Sequence, residues 1–334
     1  MTPSNQSARP RRAPAGALPA KDSPRSEDGT AEVLTRFVDA SDGVRLAVQE
    51  RGDPDARTVL CVHGFPDDHQ VWDGVAGRLA STLHVVTFDV RGSGASGRPK
   101  RIKDYRLDQL VEDIGHVVDA VSPQRPVHLL GHDWGSVQAW HATTDPAQRH
   151  RIASLTSISG PCLDHVPFWI RSRLAAGPRG WKDLLSMWKS PLYMGFFQVP
   201  LLAPLACRLG LIDATIAVAS RLEVGAGPTD APVHRARDNR AGLKIYTANL
   251  LPRLLRPQER STDRPVQVLA PRRDIFITPA SQTDIGRWAA DSTVHAVDGG
   301  HWVPLFDPAA VADLVLPFVS EHEANTADTN GAIR

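Results

Sequence analysis

Three short segments, far apart in the chain, carry residue types that can act on one reacting atom: "LLGHDWGSVQAW" (129–140), "VLAPRRDIF" and "VDGGHWVP". The first sets Asp133 between Gly131 and Gly135, after an apolar run and before one of helical spacing. A strand-to-helix turn flanked by glycines is tight and strained, and lifts its central side chain above the sheet edge at a helix N-terminus. The helix dipole stabilises an anion there. Such a turn usually presents a serine; here it presents a carboxylate. Alone, the turn also suits an aspartate that merely caps the helix. Asp274 follows a strand-like run, however, and His301 follows the next one, 27 residues later. Nucleophile, acid, then histidine, each at the carboxyl edge of a sheet, is the order in which a catalytic triad is assembled on such a sheet.

A fourth segment, "VHGFPDD" (62–68), follows an early strand-like run. Its place suits a loop that donates one N–H to an oxyanion hole, so the backbone N–H groups of Phe65 and Trp134 are the expected pair of donors. His63 is expected to hydrogen-bond within the loop, as a structural residue. If the acid is not Asp274, the next candidates are Asp284 and Asp298.

These segments need a sheet to hold them. "VLTRFVDA" and "VRLAVQER" around the turn "SDG" predict a hairpin. "TVLCVHG", "HVVTFDV", "VHLLGH", "IASLTSIS", "PVQVLAP" and "TVHAVDG" read as buried strands, and "LDQLVEDIGHVVDAV" and "AAVADLVLPFVSEH" as helices. Alternation of this kind predicts an α/β fold with a mostly parallel central sheet flanked by helices. Residues 161–254 break the pattern: they are Pro-interrupted and mostly helical, with Trp169, Trp181, Trp188, Tyr193, Phe196 and Phe197 close together. The expected organisation is a disordered segment 1–30, a core of 31–160 and 255–323, a helical cap of 161–254 and a flexible tail of 324–334.

Composition narrows the classes. Hydrophobic residues make up 42% and charged residues 22%, which suits a globular domain, and a net charge of +1 gives no reason to expect nucleic acid or an anionic membrane surface. No apolar run reaches 18 residues, and the N-terminus lacks the continuous apolar stretch of a signal peptide. Cys61, Cys162 and Cys207 show no metal-ligand spacing and read as buried, reduced thiols, so a cytoplasmic location is expected, with no metal or cofactor.

"HGFP", "DVRGSGAS", "GHDWGS", the Asp of "PRRD" and "GGHW" together resemble the α/β-hydrolase superfamily, and within it the epoxide hydrolases with an aspartate nucleophile. The resemblance covers roughly residues 33–322 and implies an α/β-hydrolase core with an inserted helical lid. It also implies two lid tyrosines. "YMGFFQVP" supplies Tyr193; "LKIYTAN" supplies Tyr246, although Lys244, Ile245 and Thr247 depart from the family's pattern there. "LTSISGPCLDHV" and "FFQVPLL" are similar to the hydrolase part of fusions with a short-chain dehydrogenase; the sequence ends at Arg334, so no reductase part is expected. The implied substrate is a small apolar epoxide that reacts with Asp133 to give an ester, then with water to give a diol. Trp134, Phe197 and Trp302 are expected to line its pocket, in a monomer or homodimer.

Two other readings compete. Haloalkane and haloacid dehalogenases use the same ester, and Trp134 can offer its indole N–H to a halide. The haloalkane enzymes, however, typically carry Asn where Phe65 stands, and fluoroacetate dehalogenases carry Arg where Trp134 stands. A non-catalytic scaffold usually loses a triad member, and here all three are present. A serine esterase lacks support, because Ser136 falls inside the helix.

Overall fold

The computed structural model describes residues 33–187, 189–199, 201–224 and 236–331. The segment 1–30 expected to be disordered and Trp188 lie outside the described residues.

Eight strands form one sheet: β1 (Leu34–Asp39), β2 (Arg45–Arg51), β3 (Thr58–Val62), β4 (His84–Phe88), β5 (Val127–His132), β6 (Ile152–Ile158), β7 (Val266–Pro271) and β8 (Ser292–Val297). Their spatial order is β1-β2-β4-β3-β5-β6-β7-β8. The β1–β2 hairpin is antiparallel and β2 runs antiparallel to β4, while every later pairing is parallel. The central strands are buried on both faces, which is why they read as continuous apolar runs. Their alternate residues feed different layers: Leu60, Val62, Val86 and Leu129 pack into one cluster, and Val59, Cys61, Val85 and Leu130 into the other.

Helices α1 (Asp73–Leu79), α2 (Leu107–Val121) and α3 (Trp134–Thr144) pack against the sheet, α3 over β5 and β6. In α2, Leu107, Leu110, Val111, Ile114, Val117 and Val118 recur at helical spacing and are all buried. Helix α3 is buried on every side. The helical insertion follows as α4 (His165–Ala175), α5 (Pro178–Ser186), α6 (Lys189–Phe197), α7 (Leu202–Arg208), α8 (Leu211–Val224) and α9 (Ala236–Leu255), here called the cap. Three more helices follow among the described residues: α10 (Pro279–Thr283), α11 (Val303–Phe306) and α12 (Pro308–Gly331).

The end of the chain differs from expectation. The segment expected to be a loose tail from 324 continues α12 as far as Gly331. Polar composition suggested a coil, but no Pro or Gly interrupts the run from Ser320 to Asn330, and a helix already nucleated and packed upstream extends through such residues.

The "DVRGSGAS" loop after β4 is a structural device. Arg91 is fully buried, grips Asp113 with Nε and Nη2, each at 2.6 Å, and reaches Asp42 at 2.8 Å. Asp89 accepts the Ala95 N–H at 2.7 Å and the His69 N–H at 3.0 Å. Among the described residues, no single helix is long and apolar enough to cross a membrane.

Candidate active site

The turn after β5 brings Asp133 to the sheet edge with φ of 51°, a region that side chains rarely occupy. The Asp133 N–H bonds Ile158 O at 3.0 Å, and its carbonyl accepts the Val137 N–H at 3.1 Å, so the strained residue is pinned from both sides. Gly135 is required by close approach: a Cβ there would lie 2.0 Å from the carbonyl oxygen of Val62. Ser136, inside α3, gives its hydroxyl to Gly160 O at 2.6 Å and is wholly buried, as expected of a residue outside the chemistry.

The two carboxylate oxygens of Asp133 have different surroundings. Oδ1 accepts the Phe65 N–H at 2.9 Å, and the Trp134 N–H also bonds the carboxylate. Both expected oxyanion donors therefore already converge on Asp133. Oδ2 faces His301 Nε2 at 3.6 Å. Burial pushes the Asp133 carboxyl up to about 6, against the opposing pull of the His301 charge and the two N–H donors.

His301 and Asp274 come from the loops after β8 and β7. The imidazole Nδ1 lies 3.1 Å and 3.2 Å from the two oxygens of Asp274. Asp274 Oδ1 also accepts the N–H groups of Phe276 at 2.9 Å and Ile277 at 2.8 Å, which fixes the carboxylate. Burial would lower the His301 pKa, but the negative charges of Asp274, Asp133 and Glu223 outweigh it and raise it to about 9. Neither alternative acid approaches this cluster. Asp284 pairs with Arg173, and Asp298 is exposed beside Arg272 at 3.3 Å.

His63 has the structural role expected of it: Nδ1 bonds Gly64 O at 2.8 Å, and Nε2 accepts the Val90 N–H at 2.9 Å. Three further residues were not singled out from the sequence. His132, the last residue of β5, donates through Nε2 to the carbonyl of His301 at 2.9 Å. Burial holds its pKa well below the ordinary value, so it stays neutral beneath the imidazole. Asp67, in the "VHGFPDD" segment, accepts the Trp302 indole N–H at 3.1 Å. Glu223, on α8, is buried and accepts the His301 N–H at 2.8 Å. For Asp67, the only sequence signal was its place in a motif already credited to Phe65; for Glu223 there was none.

Above Asp133 stand Tyr193 from α6 and Tyr246 from α9, and both line two cavities that meet at Asp133. One cavity, of about 150 Å³, is walled by Phe65, Phe196, Phe197, Ile212, Ile216 and Trp302, with His301 on its floor. The other, of about 260 Å³, is walled by Trp134, Leu163, Val166, Ile170, Met194 and Leu250. Phe197 and Trp302 thus line the first cavity and Trp134 the second. Tyr246 packs edge-on against Trp134, with ring centres 4.8 Å apart, and its phenol oxygen takes a hydrogen bond from the Trp134 side chain. Burial first, and then the charge of Asp133, keep both phenols well above their ordinary pKa, so both are protonated donors. The aromatic cluster expected in the cap divides. Tyr193, Phe196 and Phe197 face the cavities, whereas Trp169 is buried outside them and Trp181 is exposed.

A buried carboxylate held by two backbone N–H donors, with one oxygen turned toward a histidine–aspartate pair, can attack a carbon electrophile and then be released by water. The fold is that of an α/β-hydrolase: residues 57–183 match the model of the family described as "alpha/beta hydrolase fold", and the sheet order and strand-to-helix turn agree. Its named relatives include epoxide hydrolases. It is 37% identical over 295 residues to "Probable oxidoreductase EphD" of Mycobacterium tuberculosis, a match covering 85% of this chain and 49% of that protein. It is 40% identical over 129 residues to "Epoxide hydrolase A" of the same organism, covering 38% of this chain and 39% of that one. The chain thus spans about half, or less, of the length of these curated relatives. Among solved structures, an epoxide hydrolase of Bacillus megaterium bound to an inhibitor superposes with a TM-score of 0.66 at 21% identity, over 85% of this chain and 100% of that one. The epoxide hydrolase VrEH1 of Vigna radiata gives a TM-score of 0.68 at 20% identity, over 87% and 98%. At these identities the structural likeness speaks for the fold.

Proposed function

We propose that the protein is an epoxide hydrolase that works through an ester on Asp133. The observation that carries this reading is the split environment of that carboxylate beneath two phenols. An epoxide has no carbonyl, and its electrophile is a strained sp3 carbon, which a carboxylate can open by in-line displacement. Asp133 Oδ2 attacks the ring carbon, the C–O bond breaks, and the departing alkoxide takes a proton from Tyr193 or Tyr246. The ester carbonyl is then Oδ1, which already accepts the Phe65 N–H, with the Trp134 N–H as the second donor to this carboxyl group. His301 Nε2 takes a proton from water, and the hydroxide adds to the Asp133 carboxyl carbon. The oxyanion forms on Oδ1, where both donors stabilise it. Collapse expels the diol with a proton from the imidazolium, and the new Asp133 carboxyl returns its proton to the phenolate.

Esterification also readies the base. In the resting site the Asp133 charge helps hold His301 protonated; the ester removes that charge, so the imidazole pKa falls and its proton passes to solvent before it acts as base, to be regained when the Asp133 carboxylate is restored.

Two observations favour an epoxide over an alkyl halide. An alkoxide needs a proton, and two neutral phenols stand over the nucleophile. The Trp134 indole, the expected halide donor, is already engaged with Tyr246. The two apolar cavities on either side of Asp133 suit an oxirane carrying an apolar group on each carbon. A single turnover with enzyme in excess in oxygen-18 water tests the ester. Heavy oxygen is expected in the peptide that carries Asp133; label found only in the diol would mean direct attack by water.

A further inference from the structure

Glu223 lies in the last turn of α8, a cap helix, yet its carboxylate is buried among the loops of the core. Oε2 accepts the N–H of His301 at 2.8 Å, and Oε1 accepts the N–H of Ile275, the residue after Asp274, at 3.0 Å. One side chain therefore bridges the loop that carries the base and the loop that carries its acid partner. The fit is close: a Cβ on Gly300 would lie 2.2 Å from Glu223 Oε2 and 2.5 Å from its Cβ, so the neighbour of His301 must be glycine for the carboxylate to enter. The same helix supplies Ile212, Thr215 and Ile216 to the wall of the first cavity.

A buried carboxylate costs desolvation, and burial duly raises the Glu223 pKa, against the Ile275 hydrogen bond and the His301 charge. Packing alone would be met more cheaply by an apolar side chain. What the carboxylate adds is two charge-assisted hydrogen bonds to the backbone of the two catalytic loops, and a negative charge beside the imidazole. The geometry points to Glu223 as a positioning residue for ester hydrolysis: a latch from the cap that holds His301 and the Asp274 loop in register and favours the imidazolium. This rests on the aspartyl-ester reading above. It makes base geometry depend on the seating of α8, the helix that also walls the substrate cavity.

The charged and titratable groups facing this imidazole are Asp133, Asp274 and Glu223, with neutral His132 below it, Asp67 behind His132 at 3.7 Å, and the two cap phenols above. In the alkylated enzyme Asp133 is neutral, so Asp274 and Glu223 are left to raise the base.

The test separates the two half-reactions. Wild type, Glu223→Gln and Glu223→Ala are mixed with trans-stilbene oxide under single-turnover conditions across a pH series. The Asp133 adduct is followed by rapid quench and peptide mass, and folding is checked by thermal melting. Gln keeps the shape but presents an amide NH2 to one of the two backbone N–H groups. Hydrolysis of the adduct is expected to slow on the order of 10-fold to 100-fold, with alkylation changed far less. The acid limb of hydrolysis, where His301 gains its proton, should move to lower pH in both variants, because a negative charge beside the imidazole is gone. A purely structural role would slow both steps together and leave that limb in place. A wild-type adduct that Glu223→Gln hydrolyses at the wild-type rate, with an unmoved acid limb, overturns the latch alone; no adduct in wild type overturns the latch together with the ester reading.

Discussion

Replacing Asp274 by asparagine tests the base assignment, because the structure dictates how the amide must sit. Asp274 Oδ1 accepts the N–H groups of Phe276 and Ile277 at 2.9 Å and 2.8 Å. In Asp274→Asn the carbonyl oxygen must keep that position, since the reverse orientation would aim an NH2 group at two donors. The amide nitrogen then faces His301 Nδ1 and donates to it. Nδ1 becomes an acceptor, and the ring proton moves to Nε2, the atom 3.6 Å from Asp133 Oδ2 that should take a proton from water. A protonated Nε2 cannot act as a base. The wrong tautomer in an analogous triad costs about 10,000-fold, which corresponds to about 5 kcal/mol of barrier. Ester formation needs only an ionised Asp133 and a proton donor above the oxirane, so it should survive. Rapid mixing should therefore show one equivalent of adduct forming quickly and then persisting, with steady-state turnover reduced on the order of 10,000-fold. Turnover within tenfold of wild type would refute the tautomer reasoning. Slow turnover with no accumulated adduct would refute the division of labour between the two steps.

Further outcomes follow from the same geometry. Alkylation requires ionised Asp133, whose pKa is raised to about 6, so the single-turnover alkylation rate should fall about tenfold per pH unit below that value; a rate independent of pH from about 5 to 7 would count against Asp133 as the nucleophile. Tyr193→Phe or Tyr246→Phe should each slow ring opening on the order of 100-fold, and the double variant should nearly abolish it while binding of a non-reactive amide mimic falls less. Ring opening by the double variant at the wild-type rate would reduce the tyrosines to packing, and bromide release from an alkyl bromide by that variant would favour a dehalogenase. Gly135→Ala puts a methyl group 2.0 Å from Val62 O and should destabilise the fold by about 3 kcal/mol, read from the denaturant midpoint; an unchanged midpoint would show that α3 can shift away from β3.

The proposed reacting groups were legible in the sequence because each is fixed by its immediate neighbours along the chain. Asp133 follows β5 inside a glycine-framed turn, Asp274 follows β7, and His301 follows β8. Parallel strands in the order β5-β6-β7-β8 bring such positions together at one edge. The two tyrosines were harder, since a cap aromatic has no local mark that separates a proton donor from core packing, and only the resemblance to a known pattern singled them out. Glu223 was not legible at all. Nothing in "SRLEVG" distinguishes it from a surface glutamate at a helix end; its role exists only because α8 returns over the catalytic loops. The same holds for the cavities, whose walls draw on the elbow helix α3, on α4, α6, α8 and α9, and on loops after β3, β6, β7 and β8. Chemistry was therefore written in short spacings that one dimension preserves, whereas substrate shape and base alignment were written in contacts between cap and core. That separation fits the mechanism itself. In the proposed mechanism the core would set which bond breaks, and the cap, through Tyr193, Tyr246 and Glu223, would decide which oxirane is held and when the base beneath it is in line.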